Sequence, residues 1–175
     1  MRRGIFFSFL CFVSMYSAGQ ELESKIIQGY GKIRNYEDIE VQPDSELEYK
    51  MVFDLKSEKE KDGVNEGLVK IARTLNLLGA AHIEPSKIKI VAAIHGGATP
   101  LALKEDKYQE KYGKPNPNLE LMRLLREQGV ELFVCAQATA AMGIADSDLN
   151  SFVKPALSAL IVLSNYQLNG YALLP

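Results

Sequence analysis

The chain has 175 residues, of which 47% are hydrophobic, enough for one domain with its own apolar core. Its formal net charge is −2, and the basic residues are scattered among acidic ones. No basic stripe of the kind that neutralises phosphates is present, so we expect no nucleic acid partner. No low-complexity tract or internal repeat is visible, which argues against a disordered or fibrous protein.

The first nineteen residues have the pattern of a secretory signal peptide. A cationic start at Arg2 and Arg3 precedes an uncharged, mostly apolar run over residues 5–16 and a small-residue stretch that ends at Gly19. We therefore predict cleavage after Gly19 and export to the periplasm or the extracellular space, with no stable membrane anchor after cleavage. The apolar run is short for a bilayer span, and an uncleaved anchor is the alternative.

Cleavage would leave one cysteine in the mature chain. It removes two of the 20 basic residues and none of the 22 acidic ones, so the formal net charge falls from −2 to −4. Cys11 belongs to the apolar run, and Cys135 remains. An exported protein with one cysteine has no internal disulfide, so Cys135 is buried in the core, paired between chains or reactive.

The pattern divides the chain into three segments: a signal peptide over residues 1–19, an N-terminal arm over 20–48 and an α/β domain over 49–175. The arm is polar, and its glycines and Pro43 interrupt it before a long periodic pattern of apolar residues can form. It is either a surface extension that lies along the domain or a contributor to subunit contacts.

From Tyr49 onward, predicted strands alternate with predicted helices. The strands are expected at residues 49–55, 87–94, 130–135, 152–157 and 171–174. A charged loop over 56–61 leads to a first helix with apolar residues recurring from Val64, and Gly79 is its expected stop. Asn118 and Ser158 are expected to cap later helices.

This alternation predicts an α/β protein with three α/β/α layers and a mainly parallel five-stranded sheet joined by right-handed crossovers. The order of the strands in the sheet stays open. Pro155 in the fourth strand favours an edge position or a bend there.

Polar residues end the first three predicted strands: Asp54, His95 and Cys135. If those strands are neighbours, a carboxylate, an imidazole and a thiol meet at one edge of the sheet, and nucleophilic thiol chemistry uses these groups. The order is compatible with a hydrolytic Cys–His–Asp triad, although Asp54 can equally begin the following loop.

Cys135 stands where a buried strand meets the start of a helix, and backbone N–H groups at a helix start favour a thiolate. The alternative is a small buried hydrophobe. His95 precedes Gly96 and Gly97, which allow close backbone approach, so it can donate to a ligand or orient the thiolate; the alternative is a hydrogen-bonded turn histidine. Two distant histidines and one mature cysteine predict no metal site, and we expect no cofactor.

Four motifs together resemble the DsrE/DsrF-like family, which includes sulfur-relay subunits and YchN-like proteins. The resemblance covers residues 49–175, and its motifs are the opening strand 49–55, the turn His95-Gly96-Gly97, the stretch Cys135-Ala136-Gln137-Ala138 with Met142-Gly143-Ile144, and the closing residues 166–172. It implies a YchN-like fold that commonly assembles into trimers or hexamers. In the relay members the cysteine after the third strand carries a persulfide, and the matching residue here is Cys135.

Three functions follow as hypotheses. The first is an exported sulfur-handling protein in which Cys135 binds or carries sulfane sulfur, with His95 as its catalytic partner. A donor molecule would supply the sulfur, or an acceptor would receive it. The second is a non-catalytic module that binds a small ligand at the strand ends, with Asp54, Gly96, Gly97 and Gln137 as ligand-binding residues, and the third is a structural homo-oligomer. An open electropositive pocket at Cys135 would favour the first, and a buried thiol would favour the others.

Overall fold

The computed structural model describes residues 22–36 and 38–175, so the predicted signal peptide over 1–19 lies outside the described residues. The strands are β1 (Tyr49–Leu55), β2 (Glu60–Lys61), β3 (Val64–Asn65), β4 (Ile88–Ile94), β5 (Glu131–Cys135), β6 (Val153–Ala156) and β7 (Ala172–Leu174). The helices are α1 (Glu66–Ala80), α2 (Glu105–Tyr112), α3 (Leu119–Glu127), α4 (Ala136–Ala141) and α5 (Ala159–Leu168). Within the described ranges, no helix combines the length and apolar character needed to cross a membrane.

Five strands form the main sheet in the order β6-β5-β4-β1-β7, and every neighbouring pair is parallel. The predicted three-layer α/β/α class is therefore confirmed, and the order that the sequence left open is now defined. β6 is an edge strand, as Pro155 indicated, because an edge tolerates the missing backbone N–H of proline.

The central strands bury side chains on both faces of the sheet. Phe53 and Ile94 pack into the larger core, together with buried residues of α1 and α3. Val52 and Ala93 point to the opposite face, where they pack with Val162 of α5. Burial on both faces explains the nearly continuous apolar sequences of these strands.

A small hairpin precedes α1, where the sequence pattern predicted a loop and the start of the helix. β2 pairs with β3 in antiparallel fashion around Asp62 and Gly63, whose φ angles of 55° and 81° are both positive. An Asp-Gly pair favours such a turn, so this sequence signal was present. Val64 therefore belongs to β3, and Asn65 caps α1 by accepting a hydrogen bond from the backbone N–H of Gly67.

Gly79 does not end α1, contrary to the prediction, because the helix continues through Ala80. A Cβ at Gly79 would lie 2.4 Å from Cγ1 of Ile26, so this glycine makes room for the arm. The positive φ angle after the helix falls at His82 instead, at 57°. Gly79 therefore marks a close approach between α1 and the arm, and not the end of the helix.

The two predicted caps have different outcomes. Ser158 caps α5 as expected, since its side chain accepts a hydrogen bond from the backbone N–H of Leu160 at 3.2 Å. Asn118 precedes α3 but makes no side-chain cap. Its Oδ1 accepts instead from the backbone N–H of Asn65 at 2.8 Å, so a tertiary contact takes the place of the local one.

The arm lies along α1, and one buried side chain fastens it there. Asn76 Oδ1 accepts hydrogen bonds from the backbone N–H groups of Ile26 and Ile27, both at 2.8 Å. Its Nδ2 donates to the carbonyl oxygens of Tyr30 and Gly31 at 2.9 and 3.1 Å. With a longer contact of 3.5 Å to the carbonyl oxygen of Ile27, this single amide bonds five backbone groups of the arm.

We expect Asn76→Ala to destabilise the protein and to release the arm. Each backbone group that loses its buried partner costs about 1 kcal/mol or more, so the free energy of unfolding should fall by roughly 2–4 kcal/mol. Chemical denaturation measures the loss, and hydrogen exchange should show faster exchange at Ile26 and Ile27. The control is Thr74→Ala on the same helix, whose hydroxyl bonds the carbonyl of Lys70. Equal stability and exchange in the two variants would contradict the role of Asn76.

Candidate functional site

The three polar residues predicted to meet lie on one face of the sheet. Asp54, His95 and Cys135 stand at or just after the ends of β1, β4 and β5, and the sheet order makes these strands neighbours. Alternation along β1 places Asp54 on the face of Val52, and Cys135 belongs to the core beneath α5. His95 has extended backbone (φ −158°, ψ −174°), so it continues the alternation from Ala93 to the same face.

Asp54 and His95 form a hydrogen-bonded pair. His95 Nε2 lies 2.6 Å from Asp54 Oδ1, and because a carboxylate only accepts, Nε2 donates in this contact. The second oxygen of Asp54 lies 3.3 Å from the ammonium of Lys56. The side chains of Asp54 and His95 are 15% and 27% exposed. The carboxylate therefore fixes the orientation of a partly accessible imidazole.

Cys135 is buried, yet its surroundings favour the charged thiolate. The residue is 7% exposed, and it precedes α4 without making a side-chain cap. Burial raises the pKa of the Cys135 thiol, but hydrogen bonding from the backbone amides of Ala159, Ala138 and Gln137 and from the Ser158 hydroxyl lowers that pKa more. The net result is a thiol pKa below its ordinary value.

Asp54 and His95 form a hydrogen bond with each other, whereas Cys135 is related to them only by the position of its strand. Among the described residues, no hydrogen bond connects the Cys135 sulfur with His95. The pairing of Ile94 with Val134 places the two residues one step further along neighbouring strands. The carboxylate–imidazole half of a triad is therefore formed, and the imidazole–thiol half is not made in this arrangement.

Gly96 and Gly97 approach the chain itself. Gly96 has a φ angle of 52°, and a Cβ there would lie 3.2 Å from the carbonyl oxygen of Lys56. A Cβ at Gly97 would lie 3.3 Å from the backbone nitrogen of Glu58. The two glycines thus let the loop after β1 pack onto the turn that holds His95.

The Gln137 side chain does not face the sulfur. Its Nε2 donates to the carbonyl oxygen of Leu157 at 3.2 Å, which ties α4 to the segment before α5. Only its backbone N–H acts on the thiol of Cys135. The ligand-binding role predicted for the Gln137 side chain stays a prediction, and its amide is used within the chain.

Two residues at this edge were missed by sequence reasoning. Ser158 was expected only as a helix cap, and its effect on the Cys135 thiol depends on β6 lying beside β5. Lys56 belongs to a charged run, and nothing in that run distinguished it as the partner of Asp54. Strand order supplies the signal for Ser158, whereas Lys56 lies only two residues after Asp54 and is one of several charges in that loop.

A pocket of about 200 Å³ opens beside Asp54 at the end of β1. Its lining includes Asp54, Lys56, Glu66 and Lys70 but not Cys135. Within the described ranges, no group of three or more His, Cys, Asp or Glu side chains is placed to hold a metal ion. The groups that this edge offers to a ligand are therefore charged side chains and backbone amides.

Comparison with known proteins agrees with this architecture. Residues 50–175 match the model of the DsrE/DsrF-like family. A search of curated proteins gives no match. Among solved structures, the chain is similar to the protein of unknown function MTH1491 from Methanobacterium thermoautotrophicum, with a TM-score of 0.55 and 18% identity over 72% of this chain and 97% of that one. That likeness shows the fold, and the match to the family model shows that the chain belongs to the DsrE/DsrF-like family.

Proposed function

We propose that this protein handles sulfur and that Cys135 accepts and holds sulfane sulfur. The observation that carries the proposal is the position of Cys135 at the carboxyl end of β5, directly before α4, where backbone amides at the starts of α4 and α5 and the Ser158 hydroxyl lower the pKa of its thiol. A core cysteine needs no such donors, whereas a thiolate does, and the thiolate is the nucleophile in sulfur chemistry. The place of Cys135 in the family motif supports the same role.

The transfer step requires no external oxidant. The Cys135 thiolate attacks the outer sulfur of a hydropersulfide donor RSSH, and a new sulfur–sulfur bond forms as the bond between that sulfur and RS breaks. The electron pair of the broken bond leaves with RS⁻, and the hydrogen stays on the transferred sulfur. The leaving thiolate takes its proton from solvent, because the Nε2–H of His95 is donated to Asp54.

A second candidate function is favoured by the burial of the thiol. Cys135 is only 7% exposed in the single chain, and the pocket of about 200 Å³ beside Asp54 does not include it. Under this alternative, the protein is a small-ligand-binding or structural module, and the donors around Cys135 stabilise a local turn. The reactivity of the native thiol separates the two functions.

We expect Ser158→Ala to raise the thiol pKa, because the hydroxyl that stabilises the thiolate is removed. The hydroxyl is one of four donors to the thiolate and has the smallest effect of the four, so the midpoint of the alkylation rate against pH should move up toward that of free cysteine. In the wild type, the midpoint should lie below that of free cysteine. Ser164→Ala is the matched control, because Ser164 is exposed on the same helix.

The wild-type protein should also gain a persulfide on Cys135 when it is incubated with polysulfide, as detected by mass spectrometry. Cys135→Ser is the control for modification elsewhere. Alkylation only after unfolding, with no sulfur added to the native protein, would reject the carrier function and leave the ligand-binding or structural one.

We also propose that the protein is exported and that residues 1–19 are removed. The cationic start, the apolar run and the small residues before Gln20 support the proposal. Mass analysis of the protein purified from its native host should give a chain that begins at or near Gln20. Recovery of the intact N-terminus from the cytoplasmic fraction would contradict export.

The outer surface of α5 supports a further proposal, self-assembly into a trimer or hexamer. Leu160 and Ile161 on the helix are 74% and 46% exposed, and Leu157 just before it is 70% exposed. Neighbouring apolar side chains that remain exposed commonly mark an interface, and a closed ring of identical subunits covers such surfaces. The proposed partner is therefore a second copy of this chain.

We expect Leu160→Glu to dissociate the assembly, because a charge at the centre of an apolar interface loses its hydration without gaining a partner. Light scattering should give an oligomer mass for the wild type and a monomer mass for the variant. The matched control is Val41→Glu, at an arm residue that is 84% exposed. A wild type that is monomeric at micromolar concentration would refute self-assembly.

A further inference from the structure

A groove of about 520 Å³ lies between the arm, the β2–β3 hairpin and α1. We call it the arm groove, and it is lined by Leu22, Gly29, Tyr30, Gly31, Lys32, Arg34, Lys61, Asp62, Val64, Val69 and Arg73. Its volume falls within the range of small-molecule sites, roughly 300–1,000 Å³. It lies against α1, on the other side of the sheet from Cys135, and so is independent of the sulfur chemistry.

Positive charge is concentrated in the arm groove. Lys32, Arg34, Lys61 and Arg73 line it, and Asp62 is the one carboxylate among the described residues of the lining. The chain as a whole has a formal net charge of −2, so the positive charge of the groove is opposite in sign to the net charge of the chain. Within the described part of the chain, none of the four cations forms an ion pair.

Several, though not all, of the other described cations are paired with carboxylates. Lys25 lies 2.9 Å from Glu23, and Arg123 contacts both Glu120 and Glu127. Among the described residues, the four cations of the arm groove have no such partner, so like charges that line one groove repel one another. A bound anion would relieve that repulsion.

Backbone structure holds these cations in place. A Cβ at Gly31 would lie 2.3 Å from the backbone nitrogen of Arg73, so the arm touches the backbone of α1 at this point. Ile33 pairs with Glu23 in an antiparallel bridge and is buried, which leaves Lys32 and Arg34 on either side of it exposed. Lys32 and Arg34 are thus presented by a segment whose backbone is packed on α1, and Lys61 and Arg73 lie on β2 and α1 themselves.

The arm groove also has an apolar part. Leu22, Tyr30, Val64 and Val69 contribute to its lining, and Leu22 is 52% exposed. Apolar side chains beside cationic ones suit a ligand that has an organic body and charged oxygen groups. We infer that the arm groove binds a small organic anion with two or more phosphate, sulfate or carboxylate groups, through Lys32, Arg34, Lys61 and Arg73.

Isothermal titration calorimetry with pyrophosphate and with adenosine diphosphate, at constant ionic strength, tests the inference. We expect saturable binding of one molecule per chain and tighter binding of adenosine diphosphate, because it adds an apolar body. Arg34→Gln with Arg73→Gln should weaken binding by about tenfold or more, since two charge-assisted contacts are lost. Arg34→Lys with Arg73→Lys should lose less affinity than the glutamine pair, because the charges stay although the planar donors are lost.

The control is Arg123→Gln with Lys154→Gln, which removes the same charge from exposed residues outside the arm groove. Circular dichroism melting checks that each variant is folded. Absence of binding by both probes, an equal loss in the control, or binding of long polyanions such as heparin alone would overturn the inference. These results do not depend on whether Cys135 carries sulfur.

Discussion

The central position of β4 is the constraint on which the site depends. β4 pairs with β1 on one side and β5 on the other, and the registers that join Leu55, Ile94 and Val134 bring the ends of the three strands level. Ala92 and Ala93 are fully buried in β4, and their small side chains let layers on both faces approach closely. As a result, a carboxylate, an imidazole and a thiol that are far apart in the chain share one edge and one face.

The thiol at this edge is subject to two opposing effects. Burial disfavours a charge on Cys135, whereas amides at the starts of two helices and the Ser158 hydroxyl favour it, and the second effect is larger. Both helix starts are fixed by the strands before them, β5 and β6. The polarity of the site therefore comes from backbone groups and one hydroxyl, and His95 is held separately by Asp54.

The two faces of the sheet are covered unequally. One face carries α1 and α3, and the arm lies on α1 through the buried amide of Asn76. The other face carries α5, which is apolar on its outer side as well as its inner one. This asymmetry places the arm groove on the first face and leaves the surface proposed for self-assembly on the second.

The sequence by itself determined the five strands of the main sheet and the polar residues at the ends of three of them, because the spacing of buried residues and the turn residues act over a few neighbours. It predicted β1 and the Ser158 cap correctly, and it selected Asp54, His95 and Cys135. It could not determine the order of the strands. The Asp54–His95 hydrogen bond and the effect of Ser158 on the thiol depend on that order, because each joins residues that are distant in the chain. The same reason explains the errors at Gly79 and Asn118. Local signals there were overridden by contacts with Ile26 and Asn65 that exist only once the chain is packed.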